Sequence, residues 1–350
     1  MVTPLDIAGR LVGPGHPCFI IAEAGVNHNG SLERALALVE AAAAAGADAV
    51  KFQTFRAEEI ASAAAPKAAY QKQATGPEQS QLEMLKALEL KPEHHQALKQ
   101  RCRKKGILFL STPFDSASLD LLVGMGMAAI KVPSGEITNL PFLKQVGGKG
   151  LPVILSTGMS TLDEAAFAVA ALQQAGCPSL TLLQCVSNYP ADPADANLRA
   201  MATMAQRFNL PVGYSDHTMG PEVALAAVAL GACIIEKHFT LDRSLPGPDH
   251  MASAEPTELA ELVAGIRKVE SALGHGRKEP APSEADTLAV ARRSLVAARD
   301  ILAGEVLTAD AVSLQRPGTG LSPDRWQEVQ GRKARQPIAA GTLISMEMLS

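Results

Sequence analysis

Phe19-Ile20-Ile21-Ala22-Glu23 and Ala49-Val50-Lys51-Phe52-Gln53 are short apolar runs that each close on a polar or charged residue, and the stretch between them reads as one amphipathic helix. Ser31 is placed to cap that helix, with Arg34 standing where a Glu would complete a capping box. Leu32, Leu36, Val39 and Ala43 keep helical spacing, and Gly46 stops the segment. The same unit returns along the chain. Further runs occupy Ile107 to Thr112, Ala129 to Lys131, Val153 to Ser156, Leu180 to Cys185, Val212 to Ser215 and Cys233 to His238. Helical patterns over residues 93–106 and 161–176 precede the third and sixth of the eight runs. Strands alternating with helices of this length predict a parallel sheet, and eight of them predict an α/β fold of the (β/α)8 TIM-barrel type. An open doubly wound sheet is the alternative, but no G-x-G-x-x-G follows the first run.

In a barrel the C-terminal strand ends converge on one mouth, so residues scattered along the sequence become one pocket. Glu23, Lys51, Gln53, Lys131, Ser156, Ser215, His217 and His238 are expected to meet there. Residues 58–81 break the rhythm after the second run. An insertion on the mouth side is expected to form a lid.

Composition narrows the function classes. The chain has 350 residues, 47% hydrophobic but only 4% aromatic, so its core must rest on Ala, Val, Leu and Ile. A net charge of −4, with no basic run, gives no footprint for nucleic acid. The five cysteines contain no C-x-x-C pair, which predicts a reduced, cytoplasmic protein without structural zinc. The N-terminus carries no signal-peptide pattern. The longest apolar stretch, Val223 to Ile235, is split by Gly231 and too short to span a bilayer, so no membrane association is expected.

The composition shifts at Gly274 to Ser283, where Gly, Pro and charge mark a linker. The expected division is a barrel over 1–275, a linker over 276–288 and a small module over 289–350. In that module Ile301-Leu302-Ala303-Gly304-Glu305-Val306-Leu307-Thr308 recurs as Ile338-Ala339-Ala340-Gly341-Thr342-Leu343-Ile344-Ser345. A duplicated, β-rich mini-domain follows, small enough to want a partner surface.

The chemistry lies in the strand ends. Lys51 and Lys131, with Ser134 and Gly135 in a Pro-Ser-Gly turn, offer ammonium, hydroxyl and backbone donors to a phosphate or carboxylate. A Schiff-base lysine is the rival chemistry. His217 follows the seventh strand and His238 ends the eighth; neighbouring strand ends lie about 5 Å apart, so two imidazoles can share a divalent metal. Completed by carboxylate or water, such a site suits a labile metal, Mn2+ first, with Mg2+ or Co2+ as alternatives. Histidines hydrogen-bonded within the rim are the purely structural alternative. Glu236 shares the facing of His238 while Lys237 points away. Asp249 is placed for the metal or a ligand hydroxyl, and Glu23 for proton transfer or for stabilising a developing cation.

Ile21-Ala22-Glu23-Ala24-Gly25-Val26-Asn27-His28-Asn29-Gly30, Lys51-Phe52-Gln53, Lys131-Val132-Pro133-Ser134-Gly135-Glu136, Gly213-Tyr214-Ser215-Asp216-His217-Thr218, Glu236-Lys237-His238-Phe239-Thr240 and Gly247-Pro248-Asp249-His250 together resemble the sialic acid (N-acetylneuraminate) synthase family. Arg316-Pro317-Gly318-Thr319-Gly320 resembles the antifreeze-like (SAF) domain of those enzymes. The motifs stand in order over nearly the whole chain. The resemblance implies a metal-dependent condensation of phosphoenolpyruvate with an N-acetylmannosamine-type acetamido hexose and water, giving N-acetylneuraminate and phosphate. It implies Lys51, Lys131, Ser134, Ser187 and Ser215 as phosphoenolpyruvate ligands, His217 and His238 as metal ligands, and Glu23 beside them at the catalytic centre. Glu136, Tyr189 and Asp249 would bind the sugar, joined by Gln53 and Ser156 of the mouth. Arg316 would reach the acetamido group from the partner subunit of a domain-swapped homodimer.

One place departs from the family pattern. The sixth strand ends Cys185-Val186-Ser187-Asn188-Tyr189-Pro190, where the family usually has Cys-Thr, and Val186 has no hydroxyl to offer. Within the class, a synthase that uses 2,4-diacetamido-2,4,6-trideoxymannose to make N,N'-diacetyllegionaminate is the alternative, ahead of pseudaminate. Outside it stand a metal-free Schiff-base aldolase and a non-catalytic carbohydrate-binding protein.

Overall fold

A computed structural model describes residues 2–76 and 78–350, and the chain divides into two compact units, Met1–Gly274 and His275–Ser350. In the first, eight strands build one sheet: β1 (Phe19–Gly25), β2 (Ala49–Thr54), β3 (Leu108–Pro113), β4 (Ile130–Val132), β5 (Val153–Ser156), β6 (Leu180–Cys185), β7 (Val212–Asp216) and β8 (Ile234–His238). Their order is β3-β2-β1-β8-β7-β6-β5-β4, every pair parallel. β3 and β4 are in contact without backbone pairing among the described residues, so the barrel is nearly closed. The (β/α)8 architecture expected from the alternating pattern is what the chain adopts, and the eight runs become the eight strands.

The helices follow their local chemistry. Helix α1 (Leu32–Ala44) is capped by Ser31 Oγ, which accepts from Arg34 N at 3.2 Å. Its buried stripe is Ala35, Leu38, Val39 and Ala42, with Leu32, Leu36 and Ala43 at the margin, so the apolar face is rotated slightly from the spacing read in the sequence. Two features were not anticipated. Leu5–Ile7 and Arg10–Val12 form an antiparallel hairpin whose Leu5, Ile7 and Val12 are fully buried in the barrel's core cluster. The insertion after β2 carries short helices at Ala57–Ile60, Ala69–Thr75 and Gln81–Leu88, the last with a Ser80–Glu83 capping box.

The second unit holds strands β9 (Ser294–Ala297) and β10 (Val312–Gln315), paired antiparallel. Its core is Leu295, Ala297, Ile301, Leu307, Ala311, Val329, Ala334, Ile338, Ile344 and Leu349. The two copies of the repeat meet at an antiparallel bridge, Ile301 to Ile338, with Gly304 and Gly341 at φ +82° and +80° in equivalent turns. The repeats thus supply turns and bridges, while the two strands lie outside them. Residues 276–287 are exposed; Pro282–Glu284 forms a 3-10 turn that leads into a helix over Ala285–Ala291. Among the described residues no helix is long and apolar enough to cross a membrane.

Candidate active site

Strand register explains why distant residues meet. Glu23 on β1 lies opposite Lys51 on β2 and opposite His238 on β8, and Glu236 on β8 lies opposite Ser215 on β7. Inward facing at these positions creates a charged floor. Lys51 Nζ is 2.6 Å from Glu23 Oε2 and 3.6 Å from Glu236 Oε2, and donates to Thr112 Oγ1 at 2.9 Å. Lys131 Nζ is 3.4 Å from Glu236 Oε1, which also accepts from Ser215 Oγ at 2.9 Å. Glu236 therefore bridges the two lysines. All four ionisable residues are at most 4% exposed.

Burial and neighbouring charge split the two carboxylates. Burial pushes Glu23 up to about 7, against the pull of Lys51. Burial acts the same way on Glu236, but Lys131, Lys51 and the Ser215 hydroxyl outweigh it and hold it at about 2. Burial also pulls Lys131 below the ordinary lysine value, with Lys51 adding to the effect. Lys51 is raised: its desolvation is overcome by Glu23 and Glu236. Two carboxylates in one site with separated proton affinities are what acid–base or charge-stabilising chemistry needs.

Above the floor stand the histidines, with ring centroids 5.3 Å apart. His217 Nδ1 lies 2.6 Å from the Val186 carbonyl oxygen. Donating there leaves the Nε2 lone pair free, as in a ligating histidine whose other ring nitrogen is held by a carbonyl. Position 186 thus contributes its backbone, which any side chain permits. His238 Nδ1 is buried without a hydrogen-bond partner, with Asp249 Oδ2 at 3.9 Å. Burial keeps both imidazoles below the ordinary histidine value and raises Asp249 to about 6. Among the described residues no group of three or more His, Cys, Asp and Glu is arranged to hold a metal ion. Two neutral imidazoles with unengaged nitrogens do fit a divalent metal whose remaining positions go to water or substrate.

These groups line one cavity of about 420 Å3. Of the residues expected at the mouth, Glu23, Lys51, Gln53, Lys131, Ser134, Ser156, Ser187, Tyr189, Ser215, His217, His238 and Asp249 all line it. Glu136 does not: its carboxylate accepts from Asn139 Nδ2 at 2.6 Å, beside the helix that Asn139 caps. Arg316 belongs to the second unit, where its Nε donates to the Ala291 carbonyl at 3.0 Å. The insertion after β2 contributes Ile60, Tyr70, Gln71, Gln81, Met84, Leu85 and Leu88 to the wall, as a lid would. Tyr70 packs on Tyr189 at 5.1 Å, and Tyr189 on His217 at 4.2 Å.

Several contributors were not assigned from sequence. Glu236 was legible as inward-facing, two residues before His238, but its role as the bridge between lysines depends on cross-strand distances. Gly25, at φ +52° beside a bulge in β1, leaves space that a Cβ would take 3.4 Å from Glu23 Oε1. At Gly158 an added Cβ would stand 2.4 Å from Ser187 Oγ and 2.9 Å from Ser134 Oγ, whose hydroxyl accepts from Gly158 N at 2.9 Å. Lys237 donates to Asp216 Oδ2 at 2.7 Å and to the Gly220 carbonyl at 2.9 Å, fixing the loop that carries His217. The Asn-His-Asn-Gly motif ties the loops after β1 and β8: Asn27 Nδ2 donates to Ser253 Oγ at 2.9 Å, and Asn29 Oδ1 lies 3.1 Å from His250 Nε2.

Comparison with known proteins gives the family. Residues 38–278 match the NeuB family and residues 292–350 the SAF domain. The chain is 48% identical to an N,N'-diacetyllegionaminic acid synthase of Legionella pneumophila over 96% of its own length and 95% of that protein. It is 47% identical to one of Campylobacter jejuni, over 93% and 98% respectively. Among solved structures, the N-acetylneuraminic acid (sialic acid) synthetase of Leptospira borgpetersenii in complex with citrate superposes with a TM-score of 0.73 at 39% identity, covering 82% of this chain and 96% of that one. The chain belongs to the NeuB family and ends in a SAF domain.

Proposed function

We propose that this chain is a nonulosonic acid synthase, which joins phosphoenolpyruvate to a 2-acetamido-mannose-type aldehyde and water and releases phosphate and a nine-carbon keto acid. The observation that carries the reading is the buried floor on which Glu236 bridges Lys51 and Lys131, with Glu23 beside it and two imidazoles above. The lysines, with Ser134, Ser187 and Ser215, would hold the anionic groups of phosphoenolpyruvate. Its methylene carbon attacks the aldehyde carbon, forming the C–C bond as the enol and carbonyl π bonds break; the aldehyde oxygen takes the electron pair and then a proton to become a hydroxyl, and positive charge is left on the phosphate-bearing carbon. Glu23 is the carboxylate that would stabilise this charge, and an affinity near neutrality suits it to take the proton of the water that adds there. The bond between that carbon and the phosphate oxygen then breaks, and the lysines balance the departing charge. A divalent metal held by His217 and His238, Mn2+ in preference to Mg2+ or Co2+, would supply Lewis acidity to the aldehyde oxygen. Gln53, Ser156, Tyr189 and Asp249 line the cavity where the sugar would lie.

For the acceptor, N-acetylmannosamine and 2,4-diacetamido-2,4,6-trideoxymannose are the two readings. The names of the 48% and 47% identical relatives favour the second. The working form is proposed to be a domain-swapped homodimer in which the partner supplies Arg316. Exposed Met159, Met219 and Met251, on the loops after β5, β7 and β8, support a covering partner. Five free cysteines support a reducing, cytoplasmic setting.

The test is phosphate release from phosphoenolpyruvate with a panel of acetamido sugars, the product weighed by mass spectrometry. Release that needs both substrates and yields a nine-carbon keto acid is expected. No release with any acetamido sugar overturns the reading. Borohydride trapping of Lys51 or Lys131, with activity that survives a chelator, would replace it with a Schiff-base aldolase. For the dimer, mixing inactive Arg316→Ala and His238→Ala subunits should restore activity once exchange is shown. Mixed dimers that stay inactive would refute the swap.

A further inference from the structure

On the face of the barrel wall turned away from the cavity, a second charged pair joins the two strands that lead to the histidines. Asp216 on β7 lies opposite Lys237 on β8, one position beyond the Ser215–Glu236 pair of the floor. Strand alternation turns Ser215 and Glu236 inward, and so Asp216 and Lys237 outward. Neither lines the substrate cavity; Lys237 borders a separate cavity of about 110 Å3. Yet Asp216 is 1% and Lys237 3% exposed. Lys237 Nζ donates to Asp216 Oδ2 at 2.7 Å, to the Gly220 carbonyl at 2.9 Å and to the Thr218 carbonyl. Asp216 Oδ1 accepts from Thr218 N at 2.9 Å and from Thr218 Oγ1 at 2.8 Å. All three partners of the ammonium lie on the segment that holds His217, while Lys237 itself precedes His238 by one residue.

Such a pair is a poor source of stability. Both charges lose water, and an apolar pair of similar volume would hold the fold as well or better. What the pair does supply is a fixed spacing. Asp216 and Lys237 are the last paired residues of β7 and β8, so both histidines follow the end of the backbone ladder. Beyond it, the Lys237 ammonium carries the coupling to Thr218 and Gly220. His217 has other anchors: its carbonyl accepts from Ala191 N at 2.8 Å, and its Nδ1 meets the Val186 carbonyl. Those anchors orient the ring against the loop after β6, not against β8. A metal shared by two imidazoles is sensitive to their separation, because its bond lengths leave little play. We infer that Lys237 and Asp216 are positioning residues that set the gap between His217 and His238, ring centroids 5.3 Å apart, and with it the affinity of the mouth for a divalent cation. The inference rests on the proposed two-histidine metal site.

Titration of the metal-free, full-length protein with Mn2+, the unbound ion followed by electron paramagnetic resonance, tests this without turnover. Three variants are compared with the wild type. Asp216→Asn keeps an oxygen for Thr218 but loses the charge, Lys237→Met loses the ammonium, and Asp216→Leu with Lys237→Met replaces the pair by apolar groups. Each should bind Mn2+ about 10–100-fold more weakly, the usual cost of losing an outer partner of a metal site. Saturating Mn2+ should bring kcat back toward wild type. The KM for phosphoenolpyruvate should stay within about twofold, because Lys51 and Lys131 stand on β2 and β4. The double variant leaves no buried charge unpaired, so its thermal midpoint should recover while its metal affinity does not. Wild-type Mn2+ affinity in the double variant overturns the inference alone, since the pair would then only support the fold. Loss of folding in all three variants overturns it for the same reason. No Mn2+ binding by the wild type removes the two-histidine metal site, and this inference with it.

Discussion

The two ends of the barrel hold charge in opposite ways. At the N-terminal end Asp48, just before β2, accepts from Ile20 N at 2.7 Å and Arg267 Nη2 at 3.0 Å, and pairs with Arg10. Arg267 also donates to the Cys18 carbonyl at 2.9 Å and to Glu270 at 3.0 Å. At the C-terminal end Glu236 Oε2, Ser156 Oγ and His238 Nδ1 are buried without a hydrogen-bond partner. The same strands run between the two. Saturated contacts at one end hold the chain together, whereas unsaturated groups at the other are poised for a ligand, at a cost in stability.

The largest expected effect is at the mouth. His238→Ala should abolish turnover and weaken metal binding. Lys51→Ala and Lys131→Ala should each cost at least about tenfold in kcat or in the KM for phosphoenolpyruvate, since a charge-assisted contact is worth about 1.5–3 kcal/mol. His238→Ala, which removes a side chain with no hydrogen-bond partner at Nδ1, should lower the thermal midpoint by less than Asp48→Ala does; an equal or larger drop would mean that the mouth also holds the fold. Asp48→Ala itself is expected to cost about 2–3 kcal/mol in urea unfolding, from losing hydrogen bonds to a charged group. Its kcat/KM per folded molecule should stay at the wild-type value.

A smaller effect sharpens the contrast through pH. Because burial raises Glu23 from 4.5 to about 7, the folded protein holds that proton more tightly than the unfolded chain does. Its contribution to stability is therefore fully present below about 4.5 and is lost as pH rises through about 7. Turnover that needs the carboxylate moves the other way, falling as pH drops below about 7. Glu23→Gln should remove this part of the stability profile. A kcat that is flat between pH 6 and pH 8 in the wild type would take Glu23 out of the chemistry.

Much of this was legible in the chain. The eight runs and their polar ends depend on local alternation, so the barrel and the mouth residues could be read directly. What escaped depends on contacts between distant segments. The strands Leu5–Ile7 and Arg10–Val12 are too short to show a period, and only the core behind them explains their burial. Asp48 carries no local signal, because its partners are 38 and 219 positions away. Gly158 carries no side chain to attract notice, yet it lets Ser134 and Ser187 approach. Glu136, taken for a sugar ligand from its motif, turns to Asn139, since a short 3-10 turn places it beside that cap rather than in the cavity.

On this floor cleavage falls between carbon and oxygen, after water adds to the phosphate-bearing carbon. Phosphoenolpyruvate labelled with 18O in the bridging position tests it most directly. The label should leave in the released phosphate, and the nine-carbon keto acid should carry none of it. Label retained in the keto acid would mean that the bond between phosphorus and oxygen breaks, which would contradict the roles given to Glu23, Lys51 and Lys131.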